Sequence, residues 1–339
     1  MSDLATFGLD KLVGILKAAG ESTRLRLLAL LAAGDLTVTD LTDILGQSQP
    51  RISRHLKLLA EDDLVERYQE GAWAYFRLKR DGRAAELLRA ILSAAQPSDP
   101  VLLRDSQRLD TVKRLRSERA QAYFSRNASE WDELRRLHVD EAAVEAVLQE
   151  MIGAQPVGAL LDLGTGTGRM LQLLSGLYRH ATGIDASRDM LAVARANLDR
   201  DGIVKASVRH GDIFNLPVEG QDFDLVTVHQ VLHFLDQPQL ALAEAARVLK
   251  PGGRLAVIDL APHTLEHLRE EHAHVRLGFS HESMAQWLEK SGLTVESIVD
   301  IPPGEKAGPA LTVTIWLARD RRPAAGQAGE NTSHSSRSI

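Results

Sequence analysis

The run Ala159-Leu160-Leu161-Asp162-Leu163-Gly164-Thr165-Gly166-Thr167-Gly168 leads an apolar segment straight into a glycine-rich turn, with a carboxylate two residues before the first glycine. Glycines at this spacing let the backbone approach a polar ligand closely, as phosphate, dinucleotide and adenosylmethionine sites all require. Two more carboxylates narrow the choice. Asp185 closes the apolar run Ala181–Ile184 about 20 residues after the turn, where an acid can accept both hydroxyls of a ribose. Asp212, in His210-Gly211-Asp212-Ile213, follows a third strand-like run and can accept from an adenine amino group.

Other side chains suit proton transfer. His229 and His233 flank Gln230-Val231-Leu232 just after the apolar run Leu225–Val228, and either imidazole can act as a base for a hydroxyl or neutral nitrogen. The alternative for His233 is a core-facing position on a helix. Tyr123, Phe124 and Trp131 can form a lid over a ligand or simply pack a helix. Asp259, His263, His267 and Glu271 recur every four residues, with His272, His274 and His281 nearby. On one helix face these groups can bind zinc or nickel, line an acceptor pocket or form a polar surface. Pro262 suits the start of that helix, which takes Asp259 off its face.

A different chemistry lies near the N-terminus. Gln47, Ser48, Gln49, Arg51, Ser53, Arg54, His55 and Lys57 stand opposite the apolar stripe Ile52, Leu56, Leu59 and Ala60, and no acidic residue interrupts positions 47–60. Arg and Gln reach base edges in the major groove, while Ser, Lys and His hold phosphate oxygens. A solvated basic face is the plain alternative for such a helix taken alone. Arg67 before a hairpin turn, with Arg77, Lys79 and Arg80 after it, would flank the adjacent DNA backbone.

The elements that must position these groups follow from periodicity. Leu25, Leu27, Leu28, Leu30 and Leu31 form an apolar helix stopped by Gly34; Thr39–Leu45 forms a second, stopped by Gly46. Ser48 caps a third that runs to about Glu61, with Pro50 in its first turn. Leu64–Tyr68 and Ala74–Leu78 flank Gln69-Glu70-Gly71 as a hairpin. Helix, helix, turn, helix and hairpin make a winged helix-turn-helix over residues 1–95. Gln96-Pro97-Ser98-Asp99-Pro100 opens a helical linker over 96–119. From 120 to 318, apolar runs alternate with amphipathic helices, the rhythm of a largely parallel, doubly wound α/β sheet. The runs are Leu160–Leu163, Ala181–Ile184, Leu225–Val228, Leu255–Ile258 and Leu311–Leu317. Residues 319–339 lack apolar periodicity and are expected to be disordered.

The chain has 339 residues, 44% of them hydrophobic and 25% charged, the composition of a two-domain globular protein. Its net charge of -6 does not exclude nucleic acid, because local basic patches coexist with an acidic whole. No apolar run is long enough for a transmembrane helix, and the N-terminus lacks the parts of a signal peptide, so a cytoplasmic location without membrane contact is expected. Cysteine is absent, which removes disulfides, Cys-ligated metals and thiolate nucleophiles.

Residues 10–92, with GESTRLRLLALLAAGDLTVTDLTDILGQSQPRISRHLKLLAEDDLVERYQEGAWAYFRL at their centre, resemble the ArsR/SmtB repressors. The resemblance implies a homodimer on double-stranded operator DNA, with interface helices at about 10–19 and 82–94. Metal-sensing relatives carry two cysteines where this chain has Thr37 and Thr39, so thiol-based sensing is not expected. The segments LLDLGTGTGR, TGIDASRDML, RHGDIFNLP, FDLVTVHQVLHFL and EAARVLKPGGRLAVID resemble the class I S-adenosylmethionine-dependent methyltransferases. A dinucleotide-binding domain would explain the first turn and Asp185, but not GDIFNLP or LKPGGRL.

For the cofactor, the resemblance implies Asp162, Gly164, Thr165, Gly166 and Gly168 at the methionyl part and Asp185 with Ala186 at the ribose. Met190 would lie near the adenosine, Asp212 and Ile213 at the adenine, and His229 and Gln230 beside the methyl group. Cytosine C5 and arsenite methylation both need cysteine and are excluded. The Asn/Asp-Pro-Pro-Tyr motif of amino-directed DNA methyltransferases is absent after the fourth strand, so DNA reads as an address rather than a substrate. Two readings remain: a transcription regulator that senses S-adenosylmethionine or S-adenosylhomocysteine, and a working small-molecule methyltransferase with a DNA-binding domain.

Overall fold

A computed structural model describes residues 7–70, 73–79, 83–96, 98–128, 131, 140–218, 220–303 and 311–322. The chain divides into two compact units, Met1–Glu118 and Arg119–Ile339. In the first, helices α1 (Leu9–Ala19), α2 (Ser22–Ala32), α3 (Val38–Leu45) and α4 (Gln49–Glu61) precede strands β2 (Val65–Glu70) and β3 (Trp73–Leu78) and helix α5 (Arg83–Ser93). A two-residue strand β1 (Leu36–Thr37), absent from the sequence expectation, pairs antiparallel with β3 and completes a β1-β3-β2 sheet. It is too short to show periodicity.

The turn before α4 is fixed locally. Thr37 and Asp40 form a reciprocal capping box at the start of α3, and Gly46 closes that helix in the left-handed region at φ 64°. Thr37 is buried by this role, so the hydroxyl at one of the two metal-ligand positions is a structural cap. Ser48 occupies the N-cap position of α4 with extended backbone, but its side chain makes no capping hydrogen bond. Ile52, Leu56 and Leu59 of α4 join Leu27, Leu28, Leu41 and Ile44 in one apolar core.

The segment expected as a helical linker is the first part of a 28-residue helix, α6 (Pro100–Asn127), whose start is capped by Asp99. It is fastened to the first unit: Asp105, 3% exposed, makes a paired contact with Arg26 at 2.6 and 2.7 Å, and Leu109 enters the winged-helix core. Arg108 donates to the Ile44 carbonyl at 2.9 Å, in the last turn of α3.

The second unit holds α7 (Glu141–Ile152), β4 (Val157–Leu163), α8 (Arg169–Leu173), β5 (Tyr178–Asp185), α9 (Arg188–Arg200), β6 (Ala206–His210) and β7 (Phe223–His229). A 3-10 turn (Leu232–Phe234), α10 (Pro238–Val248), β8 (Leu249–Leu260), α11 (His267–Glu271), α12 (His281–Lys290), β9 (Leu293–Ile301) and β10 (Val313–Asp320) follow. The seven strands lie in the order β6-β5-β4-β7-β8-β10-β9, parallel except for β10. Successive residues face opposite sides: Leu161, Leu163, Val226, Val228, Leu255 and Val257 enter one core with α10 and α12. Leu160, Leu225, Ala256 and Ile258 enter the other with α7 and α8. β9 was not expected from the sequence. β10 continues to Asp320, with Arg319 paired to Arg254, so the expected end of the fold at 318 moves outward; residues 323–339 lie outside the described residues.

Candidate functional site

Beyond the C-terminal ends of parallel strands, loops diverge and leave room for ligands. β4 ends in the glycine turn, where Gly164 has φ 66° and a Cβ would come within 2.4 Å of Val231 Cγ2. The turn is therefore pressed against the loop after β7. A Cβ on Gly166 would meet only Trp131 Nε1, at 3.9 Å, so this part of the turn has an open face capped by an indole. Thr165 is buried beneath the turn against Gly183. Asp162 is also buried, accepting from Thr227 Oγ1 at 2.7 Å, and supports the turn from below.

Asp185 ends β5 and accepts from the Gly166 and Ser187 backbone N–H groups at 2.8 and 2.7 Å. Burial pushes its pKa up, and the backbone donors oppose that shift. The Ala186 backbone also donates to this carboxylate, so three of its roughly four acceptor sites are used within the protein and one is left for a further donor. Ala186 is exposed beside it, and Met190 is buried at the start of α9. Asp212 is exposed, with one oxygen accepting from Phe214 N at 2.9 Å, next to half-buried Ile213. Gln230, at φ 53°, donates its backbone N–H to Ile258 and keeps a buried side-chain amide nitrogen without a hydrogen-bond partner. An open glycine turn, a ribose-ready carboxylate and this waiting donor fit the nucleoside and methionyl parts of S-adenosylmethionine.

His229 ends β7, half-buried. His233 is 3% exposed, and its Nδ1 lies 2.7 Å from Oδ1 of Asp259, which has no exposure at all. The spacing-of-four helix face is not formed. Asp259 lies in β8, Asp259 and His263 both precede α11, and that helix has only five residues. Among the described residues, no group of three or more acids and histidines is placed to hold a metal ion.

The aromatic residues do come together. Phe124 packs edge-on against Trp131 and Phe234, with centroids 5.2 and 4.7 Å apart, and Tyr123 lies 2.7 Å from His272 Nδ1. Phe234 was not singled out from the sequence, whereas His272 and His274 belong to the histidine cluster expected as one possible lining of an acceptor pocket. The i, i+1 step from His233 to Phe234 and the ring-rich run from 263 to 274 were the available signals.

On α4, Ser48, Gln49, Arg51, Ser53, Arg54 and Lys57 are exposed. Gln47 and His55 turn inward: Gln47 donates to Thr23 Oγ1 at 3.4 Å, and the His55 ring faces Glu21, with Nδ1 3.7 Å from its carboxylate. Arg77 is held within the hairpin by Glu66 at 2.6 Å and stacks over Tyr68. Lys79 pairs with Asp63 at 2.9 Å; Arg80 lies outside the described residues.

Known proteins agree with this division. Residues 21–67 match the bacterial regulatory protein, arsR family, and residues 161–257 match the methyltransferase domain family. The biotin biosynthesis bifunctional protein BioHC of Teredinibacter turnerae is 32% identical over 186 residues, or 50% of this chain and 32% of that protein. The demethylmenaquinone methyltransferase of Thermotoga maritima is 34% identical over 149 residues, or 42% of this chain and 62% of that protein. The chain thus spans about a third to two thirds of the length of the curated relatives it matches. The solved complex of the Haloferax volcanii Trm112 methyltransferase activator with a methyltransferase aligns with TM-score 0.50 at 21% identity, over 59% of this chain and 97% of that chain. This likeness shows the fold. The chain carries an arsR-type DNA-binding domain followed by a class I methyltransferase domain, the domain type that uses S-adenosylmethionine.

Proposed function

We propose that the protein is a DNA-binding transcription regulator whose second domain takes S-adenosylmethionine or S-adenosylhomocysteine as its regulatory ligand. One observation carries the reading: a solvent-facing Gln49, Arg51, Ser53, Arg54 and Lys57 surface shares a chain with an open nucleoside cradle. Helix α6 carries Asp105 and Leu109, which pack within the first unit, and Tyr123 and Phe124, which pack within the second. In this reading the ligand selects between two states of the protein that differ in DNA affinity. Its effect on DNA binding is limited by its differential affinity for the two states.

A homodimer is part of this reading. Leu9, Val13 and Leu16 lie exposed on one side of α1 and would be covered by a second copy. No helix among the described residues is long and apolar enough to cross a membrane.

Calorimetry tests the reading. Affinities for S-adenosylmethionine and S-adenosylhomocysteine are measured with and without a duplex selected by the protein from random-sequence DNA. Linkage requires any change of ligand affinity on DNA to equal the change of DNA affinity on ligand. Equal affinities in both conditions would sink the regulatory role. The buried His233–Asp259 pair favours a second reading, a working methyltransferase with a DNA-binding domain.

A further inference from the structure

Asp259 is held on three sides at the C-terminal edge of the sheet. Its Oδ2 accepts from Leu232 N at 2.9 Å, while its Oδ1 accepts from Leu260 N at 2.8 Å and lies 2.7 Å from His233 Nδ1. A carboxylate that takes two backbone N–H bonds is held in its acceptor form, so the proton in the imidazole contact belongs to Nδ1. In the neutral ring, Nε2 is then the free base. A third group thus orients the base, as activated proton-transfer sites require.

The surroundings are aromatic. The His233 ring lies 4.0 Å from the Phe234 ring and 4.3 Å from the His274 ring, centre to centre. Phe234 meets Phe124 and Trp131, and Trp131 reaches back over Gly166. Every ring from Phe234 to Trp131 is only half-buried, in a chain whose aromatic content is 4%. The contacts therefore run without a break from the oriented imidazole to the glycine turn.

We propose that this cluster is the acceptor site of a methyl transfer, built for a planar aromatic molecule that carries an ionisable hydroxyl, with His233 as general base and Asp259 as its positioning residue. The proposal rests on the reading that the domain binds S-adenosylmethionine, which supplies the methyl and leaves as S-adenosylhomocysteine. Flat ring walls select a flat ligand by stacking and edge contacts. An imidazole suits a phenol, whose ionisation near pH 10 is within its reach, and does not suit an alkyl alcohol. As the acceptor oxygen forms its bond to the methyl carbon, its O–H bond breaks and the proton passes to His233 Nε2. The electron pair of the broken carbon–sulfur bond stays on sulfur. Asp259 stabilises the imidazolium until the proton leaves to water. His263 adds no competing charge, because burial, with His233 and Arg269 nearby, pushes its pKa down to about 4.

The test uses the full chain saturated with S-adenosylhomocysteine, so that no transfer occurs, and 7-hydroxycoumarin, whose phenol and phenolate absorb at different wavelengths. Catechol and quercetin extend the size range. The expected result is a bound coumarin showing the phenolate band at a pH about one unit below its free ionisation. His233→Gln should still bind it, but as the phenol, and Asp259→Asn should fall between. With S-adenosylmethionine in place of the product, the bound phenol should be recovered as its methyl ether, at least about 100-fold more slowly with His233→Gln. A bound coumarin that stays protonated in the wild type overturns the base assignment without reference to any variant. If none of the three phenols binds while calorimetry shows S-adenosylhomocysteine bound, the acceptor site is overturned and the cofactor reading stands. If S-adenosylhomocysteine itself does not bind, the cofactor reading falls and takes this proposal with it.

Discussion

The exposed face of α4 and the rim at the ends of β7 and β8 treat polar groups in opposite ways. On α4, Gln49, Arg51, Ser53, Arg54 and Lys57 stand in solvent on a helix anchored by Ile52, Leu56 and Leu59 beneath them. At the rim, Asp259 and His233 are almost wholly buried and satisfy each other together with the backbone. The first arrangement leaves its hydrogen-bonding capacity for a partner. The second spends most of it on geometry and leaves one imidazole nitrogen for chemistry. Deleting a charge should therefore cost binding in the first region and folding in the second.

The largest effect tests that contrast directly. Asp259→Ala leaves the Leu232 and Leu260 N–H groups and the His233 Nδ1–H without their buried acceptor, a loss of about 3–5 kcal/mol at roughly 1–3 kcal/mol for each orphaned donor, partly relieved by relaxation. Denaturant unfolding followed by the buried Trp316 should show this loss, while the first unit's transition stays in place. A shift under about 1 kcal/mol, the range of an exposed pair, would mean that the rim is not held by this carboxylate.

Gly164→Ala comes next. A non-glycine residue at this left-handed φ costs about 1–2 kcal/mol, and the added Cβ meets Val231 at 2.4 Å. Affinity for S-adenosylhomocysteine should fall at least about tenfold, by calorimetry. Adding Val231→Ala should return part of the loss by removing the clash but not the backbone strain. DNA affinity without ligand should not change, which keeps the two regions separate.

The two regions also differ in how much the sequence reveals. Helix α4 is one contiguous stretch whose apolar stripe and exposed face follow from a 3.6-residue period, so most of its surface was legible. His55 and Gln47 escaped because periodicity gives a direction but not the neighbour, here Glu21, which caps α2, and Thr23 in its first turn. The glycine turn and Asp185 were legible as a pair from their spacing, and the Gly166 N–H does bond the Asp185 carboxylate. The His233–Asp259 pair was not, since 26 residues and a strand crossover separate its members. The spacing-of-four pattern suggested a helix face from which Pro262 already removed Asp259, and Asp259 does lie in β8; the helix starts only at His267, so His263 is off the face as well.

A smaller effect sharpens the reading of α4. Arg54→Ala should cost about 1–3 kcal/mol of discrimination if its guanidinium reads a base edge, and should leave ligand binding intact. Lys57→Ala should weaken binding to all sequences alike and lower the salt slope by about 1, as for a single phosphate contact. If both variants reduced only the salt slope, the exposed face would be a backbone-binding surface without direct readout.

The smallest effect compares two histidines, one in each region. Burial lowers the pKa of both His263 at the rim and His55 under α4, but Glu21 partly restores His55 while His233 and Arg269 push His263 further, to about 4. The unfolded chain binds a proton at each site near pH 6.5, before the folded protein does, so stability falls as pH drops below that value. For His263 the fall continues to about pH 4, with a slope of at most about 1.4 kcal/mol per pH unit, reduced by the ring's partial exposure to solvent. For His55 the same sign holds over a narrower window. His263→Gln should therefore flatten the acid limb of the second unit's unfolding free energy while leaving the first unit's unchanged, and His55→Gln should do the reverse by a smaller amount. An acid limb that ignores His263→Gln would mean that the rim opens to water in solution, and the contrast between a closed rim and an exposed helix face would then fail at its closed side.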